Sequence, residues 1–161
     1  MSGNSKRFLI DSNIFIYHFK GNEEATNFLL AYVKESCLSI ITYMEILSLE
    51  LSPYECNLIK RYLENFQIIY TDFTIARQVV FNKEFEKTYQ SIFNPRLKKI
   101  RLPDNIVLST AQVYNLTLVT SNIDDFRKFN VDLLNPLSSH NKENYFFKDL
   151  KRQHKRTTAL V

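Results

Sequence analysis

The chain has 161 residues, of which 45% are hydrophobic, 14% aromatic and 24% charged; this is the composition of one globular domain with a sizeable core, and it excludes a disordered or fibrous chain. Only two glycines occur, Gly3 and Gly21, so neither a G-x-G-x-x-G turn nor a P-loop can be written, and the nucleotide chemistries built on them are excluded. The formal charge of +4 belongs to the end of the chain: residues 140–161 hold six Lys/Arg against two Asp/Glu, while residues 1–139 hold fifteen of each sign.

In chain order, short apolar runs alternate with helical periodicity. Phe8-Leu9-Ile10 reads as a first strand, followed by Asp11-Ser12-Asn13 as the polar turn leaving it. Asn22 caps a helix with Glu23 and Glu24 in its first turn and Ala25, Phe28, Leu29, Tyr32 and Val33 on one face. "CLSII" (37–41) is a second strand, and Thr42-x-x-Glu45 then opens a helix as a capping box. Ser52-Pro53-x-Glu55 is a second box with proline at the first helical position, and Leu58, Ile59, Tyr62 and Leu63 follow on one face.

"QIIY" (67–70) is a third strand, and Asp72 begins a long helix to about Tyr89 with Ile75, Val79 and Val80 inward. A loop carrying Asn94-Pro95 and the basic run "RLKKIR" (96–101) leads to Pro103-Asp104, the start of a helix ending near Tyr114. Asn115 sits where a left-handed residue stops that helix. "LTLVT" (116–120) is a fourth strand and "VDLL" (131–134) a short fifth.

Strands alternating with helices predict an α/β fold on a parallel sheet, with its ligand site beyond the carboxyl ends of the strands. Asp11 follows strand one, Glu45 follows strand two, and Asp124 and Asp125 follow strand four. Asp104 reaches the same edge only if the loop before it folds back. Each acid has an ordinary structural explanation taken singly: a turn, a capping box, a helix N-terminus, an exposed loop. Gathered at one edge they would repel, and such a cluster holds a cation. Oxygen-only ligation selects Mg²⁺ or Mn²⁺ over zinc, and His18, His140 and His154 have no ligand spacing. Magnesium held by carboxylates serves phosphate-ester chemistry, in which the ion polarises a phosphoryl oxygen and acidifies bound water.

Composition also sets expectations about compartment. Cys37 and Cys56 lie in apolar-periodic stretches without metal-ligand spacing and read as buried free thiols of a reducing cytoplasm. Asp11 and His18 interrupt the only early apolar run, so it is not a signal peptide, and no run approaches the ~20 apolar residues of a membrane span.

The stretches "FLIDSNIFIY", "ITYMEIL", "LPDNIVLSTAQVYNLTLVTSNIDDF" and "VDLLNP", in order over roughly residues 7–136, resemble the PIN-domain family, specifically the VapC toxins of toxin–antitoxin pairs. The resemblance implies a three-layer α/β/α sandwich with a central parallel sheet of four to five strands. It also implies a Mg²⁺- or Mn²⁺-dependent endoribonuclease that leaves 5′-phosphate and 3′-hydroxyl ends. Carried across by position, Asp11, Glu45, Asp104 and Asp125 form the catalytic and metal-holding set. Asp11 and Asp104 would be the direct ligands, and Glu45 would hold or activate the attacking water. Ser12, Asn13, Thr120 and Asn122 would orient them. The fourth acidic place stays open among Asn122, Asp124 and Asp125.

A homodimer and a small VapB-like antitoxin are implied partners besides RNA; the helix at 23–33 and the one after Ser52 read either as the groove for an antitoxin peptide or, through their apolar residues, as core. Arg96, Lys98, Lys99 and Arg101 read either as phosphate contacts or as a solvated loop. Residues 1–137 are expected to form the nuclease domain. Residues 138–161 form a basic extension, read either as a short helix or as a disordered tail. Two rival functions remain: a non-catalytic PIN-like binding module, and a PIN nuclease working outside toxin–antitoxin pairs.

Overall fold

The computed structural model describes residues 7–93, 95–96 and 98–137. The basic extension, with His140 and His154, lies outside the described residues. Five strands form one sheet: β1 (Phe8–Ile10), β2 (Ser36–Ser39), β3 (Gln67–Ile69), β4 (Thr117–Val119) and β5 (Leu133–Leu134). Their order is β3-β2-β1-β4-β5, and every neighbouring pair is parallel. The helices among the described residues are α1 (Ser12–Phe19), α2 (Glu23–Ala31), α3 (Ile40–Leu47), α4 (Pro53–Leu63), α5 (Phe73–Ile92), α6 (Leu102–Val113) and α7 (Ile123–Phe126).

Strand side chains alternate between the two faces of a sheet, so each strand feeds both layers. Leu9, Cys37, Ile69 and Leu118 pack on one side with Ile75 of α5, Val107, Leu108 and Ala111 of α6 and Phe126 of α7. Ile10, Leu38 and Val119 point the other way, onto Phe15 and Phe19 of α1, Leu29 of α2, Ile46 of α3 and Ile59 and Leu63 of α4. The result is the three-layer α/β/α sandwich. Among the described residues no helix is long and apolar enough to cross a membrane. Both thiols are free; Cys37 is buried, but Cys56 is only half-buried.

Several expectations about local structure change. The polar turn at Asp11-Ser12-Asn13 holds, and it leads into helix α1, capped by Asp11, whose side chain accepts from the Ser12 N–H. Strand β2 stops at Ser39, which caps α3 through a hydrogen bond from the Ile41 N–H, so Ile40 and Ile41 are helical and no Thr42 box forms. The Thr42 hydroxyl is buried without a hydrogen-bond partner. The Ser52–Glu55 box is present in both directions. Asn115 adopts φ 51°, the left-handed stop expected of it. Val80 is 58% exposed rather than inward. The inner stripe of α5 runs instead through Ile75, Val79, Asn82 and Glu86, at the 3–4-residue spacing of one helical face.

Polar residues on that stripe decide how α5 meets α6. Asn82 is 1% exposed, and its amide nitrogen lies 3.0 Å from Asn105 Oδ1, 3.0 Å from Ser109 Oγ and 2.8 Å from Gln112 Oε1. Asn105 in turn donates to the Val79 carbonyl at 3.1 Å. Gln78, one turn before Asn82, bonds Gln112 near the end of α6 at 3.2 Å, whereas Glu86, one turn after it, accepts from the Ile100 N–H just ahead of α6, so α5 and α6 are antiparallel. Helix α5, rather than a folded-back loop, returns the chain to the sheet edge where α6 begins. Asn82→Leu leaves these buried acceptors short of a donor and is expected to cost about 2 kcal/mol, read as a lower urea midpoint at unchanged slope.

Candidate active site

Strands β1 and β4 are neighbours although three strand-to-strand connections separate them, and the direction of chain winding reverses between them. A crevice opens at such a point beyond the carboxyl ends of the strands. Asp11 and Thr120 flank it, tied by a hydrogen bond from the Asp11 N–H to the Val119 carbonyl at 3.0 Å.

Asp11 is 5% exposed and Thr120 fully buried. Asp11 Oδ1 accepts from the Ser12 N–H at 2.8 Å; Oδ2 accepts from Thr120 Oγ1 at 2.8 Å and Asn13 Nδ2 at 3.0 Å. Asn13 bridges onward, its Nδ2 lying 3.1 Å from Thr120 Oγ1 and its Oδ1 accepting from the Ser121 N–H at 3.1 Å. The Asn122 N–H donates to Thr120 Oγ1 at 3.0 Å, so its main chain joins the network, while its side chain makes no cap to α7. Burial pushes the Asp11 carboxyl up to about 6; the bonds from Thr120 and Ser12 pull it down, and the charges of Asp104 and Glu45 push it up again.

Glu45 reaches the crevice from α3. It lines a cleft of about 550 Å³ with Ser12, Ile16, Ile41, Met44 and Pro103. Asp104 arrives in the first turn of α6, after Pro103, where the helix dipole favours an acid. Arg101 holds it in a fork: Nε donates to Oδ2 at 2.9 Å and Nη2 to Oδ1 at 3.2 Å. That hydrogen bonding raises the Arg101 guanidinium further, with Glu45 and Asp125 adding to the effect. Asp125 faces the basic loop, both its oxygens 3.4 Å from Lys98 Nζ. Asp124 points elsewhere: its side chain is 87% exposed and pairs with Arg127 at 2.7 Å. Arg96 and Lys99 are exposed on the same loop.

The electrostatic field of the crevice thus joins Asp11, Glu45 and Asp104, and reaches Asp125 through Arg101. Among the described residues no three His, Cys, Asp or Glu side chains converge closely enough to hold an ion as they stand. The donor chemistry nevertheless fits a hard divalent cation: every donor is a carboxylate or hydroxyl oxygen, and like charges surround one buried acid. With Asp104 forked by Arg101, an ion would take that carboxylate in exchange for the guanidinium.

Two features escape a reading of the sequence. Arg101 reads there as a phosphate contact or as part of a solvated loop, and Glu86 is not singled out. The one signal for Glu86 was its place on the stripe of Ile75 and Val79, where an acid needs a buried partner.

The PIN domain family model matches residues 8–131. A toxin–antitoxin complex from Klebsiella pneumoniae contains a chain 30% identical, with TM-score 0.66, covering 81% of this chain and 98% of that one. FitAcB from Neisseria gonorrhoeae is similar at 24% identity and TM-score 0.67, covering 80% and 97%. DNA-bound VapBC from Salmonella typhimurium is similar at 17% identity and TM-score 0.67, covering 82% and 99%. The last two likenesses concern the fold alone. A comparison with curated proteins gives no match.

The raised Asp11 carboxyl has a consequence for stability. The folded state holds this proton more tightly than the unfolded chain, whose carboxyl titrates near 3.8. The contribution is therefore complete below that value and lost as pH rises through about 6. In EDTA, wild type is expected to lose roughly 2–3 kcal/mol relative to Asp11→Asn between acidic and neutral pH. Urea unfolding of both proteins across that window measures it; parallel pH profiles would contradict it.

Proposed function

The chain belongs to the PIN domain family, and on that premise we propose that it is a divalent-metal-dependent endoribonuclease, the toxin of a toxin–antitoxin pair. The observation that supports the reading is that Asp11 lies buried at the reversal point of the sheet, near enough to Asp104 and Glu45 for their charges to act on it. Asp11 and Asp104 would hold Mg²⁺ or Mn²⁺, with Glu45 and Asp125 completing the acidic set. A bound divalent ion supplies an acidified water and charge neutralisation at the phosphate.

The chain's own residues do the rest. Thr120, Asn13 and the Ser12 N–H keep the Asp11 carboxylate fixed and ionised, which burial alone would oppose. Glu45, which lines the open cleft, would orient a water and accept its proton. Arg101, released from Asp104, turns a guanidinium toward the phosphodiester, and Arg96, Lys98 and Lys99 extend a basic path for the RNA backbone. The relative from a toxin–antitoxin complex supports a VapB-like antitoxin as partner, and a homodimer and a cytoplasmic location complete the proposal.

A second reading has one observation in its favour. Both oxygens of Asp104 are engaged by Arg101, which suits a PIN-like module that binds RNA or a partner without cutting.

Purified protein incubated with mixed RNA and Mn²⁺ or Mg²⁺ separates the two. Cleavage by wild type should vanish in EDTA and fall by roughly 100-fold or more in Asp11→Asn and Asp104→Asn, the scale of losing a principal charge-stabilising group. Cleavage shared by both variants is contamination; RNA binding without cleavage selects the second reading. Arg101→Met should bind Mn²⁺ about fivefold more tightly in calorimetry, the ~1 kcal/mol of an exposed ion pair no longer opposing the ion.

A further inference from the structure

A second charged group lies apart from the acidic crevice, in the interior between α5, α7 and the basic loop. Glu86 is 2% exposed and the side chain of Lys128 8%. Glu86 Oε1 accepts from Lys128 Nζ at 2.7 Å and from the Ile100 N–H at 2.7 Å, and Lys83 Nζ stands 3.9 Å from Oε2. Both lysines also grip main chain: Lys128 Nζ donates to the Lys98 carbonyl at 3.0 Å, and Lys83 Nζ to the Ile100 carbonyl at 2.9 Å. The backbone of 98–100 is thus held at three points, and the Ile100 side chain is itself buried.

A buried ion pair is a weak source of net stability, because desolvation offsets most of the attraction. What this one supplies is geometry. The side chains that leave the clamped segment go to the crevice, Lys98 to Asp125 and Arg101 to Asp104. A loop with four cations repels itself, and holding its backbone in advance removes the ordering cost that an anionic ligand would otherwise bear.

We propose that Glu86, Lys128 and Lys83 form a positioning clamp that presents the cations of loop 96–101, Lys98 and Arg101 foremost, to the phosphates of an RNA strand entering the crevice. The proposal rests on the ribonuclease reading for its substrate. The clamp residues are positioning residues and touch no substrate.

Two full-length variants test it. Glu86→Gln keeps the acceptor for Ile100 but removes the charge that holds the lysines. Glu86→Leu with Lys128→Met replaces the pair by apolar groups of similar size, a change that buried pairs tolerate, and so covers the event that the first variant fails to fold. The probe is a fluorescently labelled single-stranded RNA of mixed sequence in EDTA, titrated at several salt concentrations, with hydrogen exchange of the 98–101 amides measured alongside. Both variants should bind roughly tenfold more weakly, with a salt slope smaller by about one for each phosphate that the loop no longer neutralises, and the loop amides should exchange faster. Wild-type affinity and slope in variants whose loop amides do exchange faster would make the clamp purely structural and overturn the proposal, as would unchanged exchange. Absence of salt-dependent binding by wild type itself would bring down the ribonuclease reading, and the proposal with it, a failure distinct because it needs no variant to be seen.

Discussion

Asp11 accepts three hydrogen bonds inside the crevice, and each depends on a different feature of the fold. Ser12 donates its N–H because α1 starts there, leaving first-turn donors unpaired. Thr120 donates because β4 lies against β1 rather than beside β3. Asn13 reaches both, and fastens the loop after β4 through Ser121. A buried carboxylate without such partners costs several kcal/mol or protonates. The chain's jump from β3 across the sheet to β4 is therefore a requirement for ionising this acid as well as a matter of topology.

The acids around Asp11 arrive from opposite layers. Glu45 stands on α3, whose Ile46 packs in one core, and Asp104 on α6, whose Val107 and Leu108 pack in the other. Two ion pairs of different character govern them. The Arg101–Asp104 fork is exposed on its cationic side, and such pairs hold by about 0–1 kcal/mol, so the fork can open. Glu86–Lys128 is enclosed; removing one partner of an enclosed pair typically costs about 3–5 kcal/mol, so it persists. Exchangeable contacts face the crevice and permanent ones stand behind them.

The sandwich could be read from the residues because its strands are short apolar runs at regular spacing, and because Asn22, Ser52 and Asp72 cap their helices in recognisable ways. Where local chemistry was ambiguous the reading slipped. Thr42-x-x-Glu45 has the letters of a capping box, but Ser39 lies three residues earlier and takes the cap, its side chain accepting from the Ile41 N–H. Helix α1 was legible only through the strand-to-helix turn at Asp11-Ser12-Asn13, because Ile14, Phe15 and Phe19 are apolar without a clear period. At the crevice, Asp11 and Glu45 could be expected from strand-end logic, whereas Asp104 follows no strand and was indicated by the family resemblance alone. The choice between Asp124 and Asp125 could not be made, because two adjacent acids differ only in which side of a single turn they occupy. Arg101 and Glu86 were opaque for a related reason: their partners, a helix-start acid and the main chain of a distant loop, are set by tertiary packing.

The outermost strands carry a consequence for how copies of the chain meet. β5 is two residues long and runs directly into Asn135-Pro136, and β3 on the opposite side has three residues. Unpaired strand margins are the usual template for sheet-to-sheet aggregation, and brevity with a nearby proline, which offers no N–H, blunts them. A parallel sheet built this way resists growing by addition of another chain's strand.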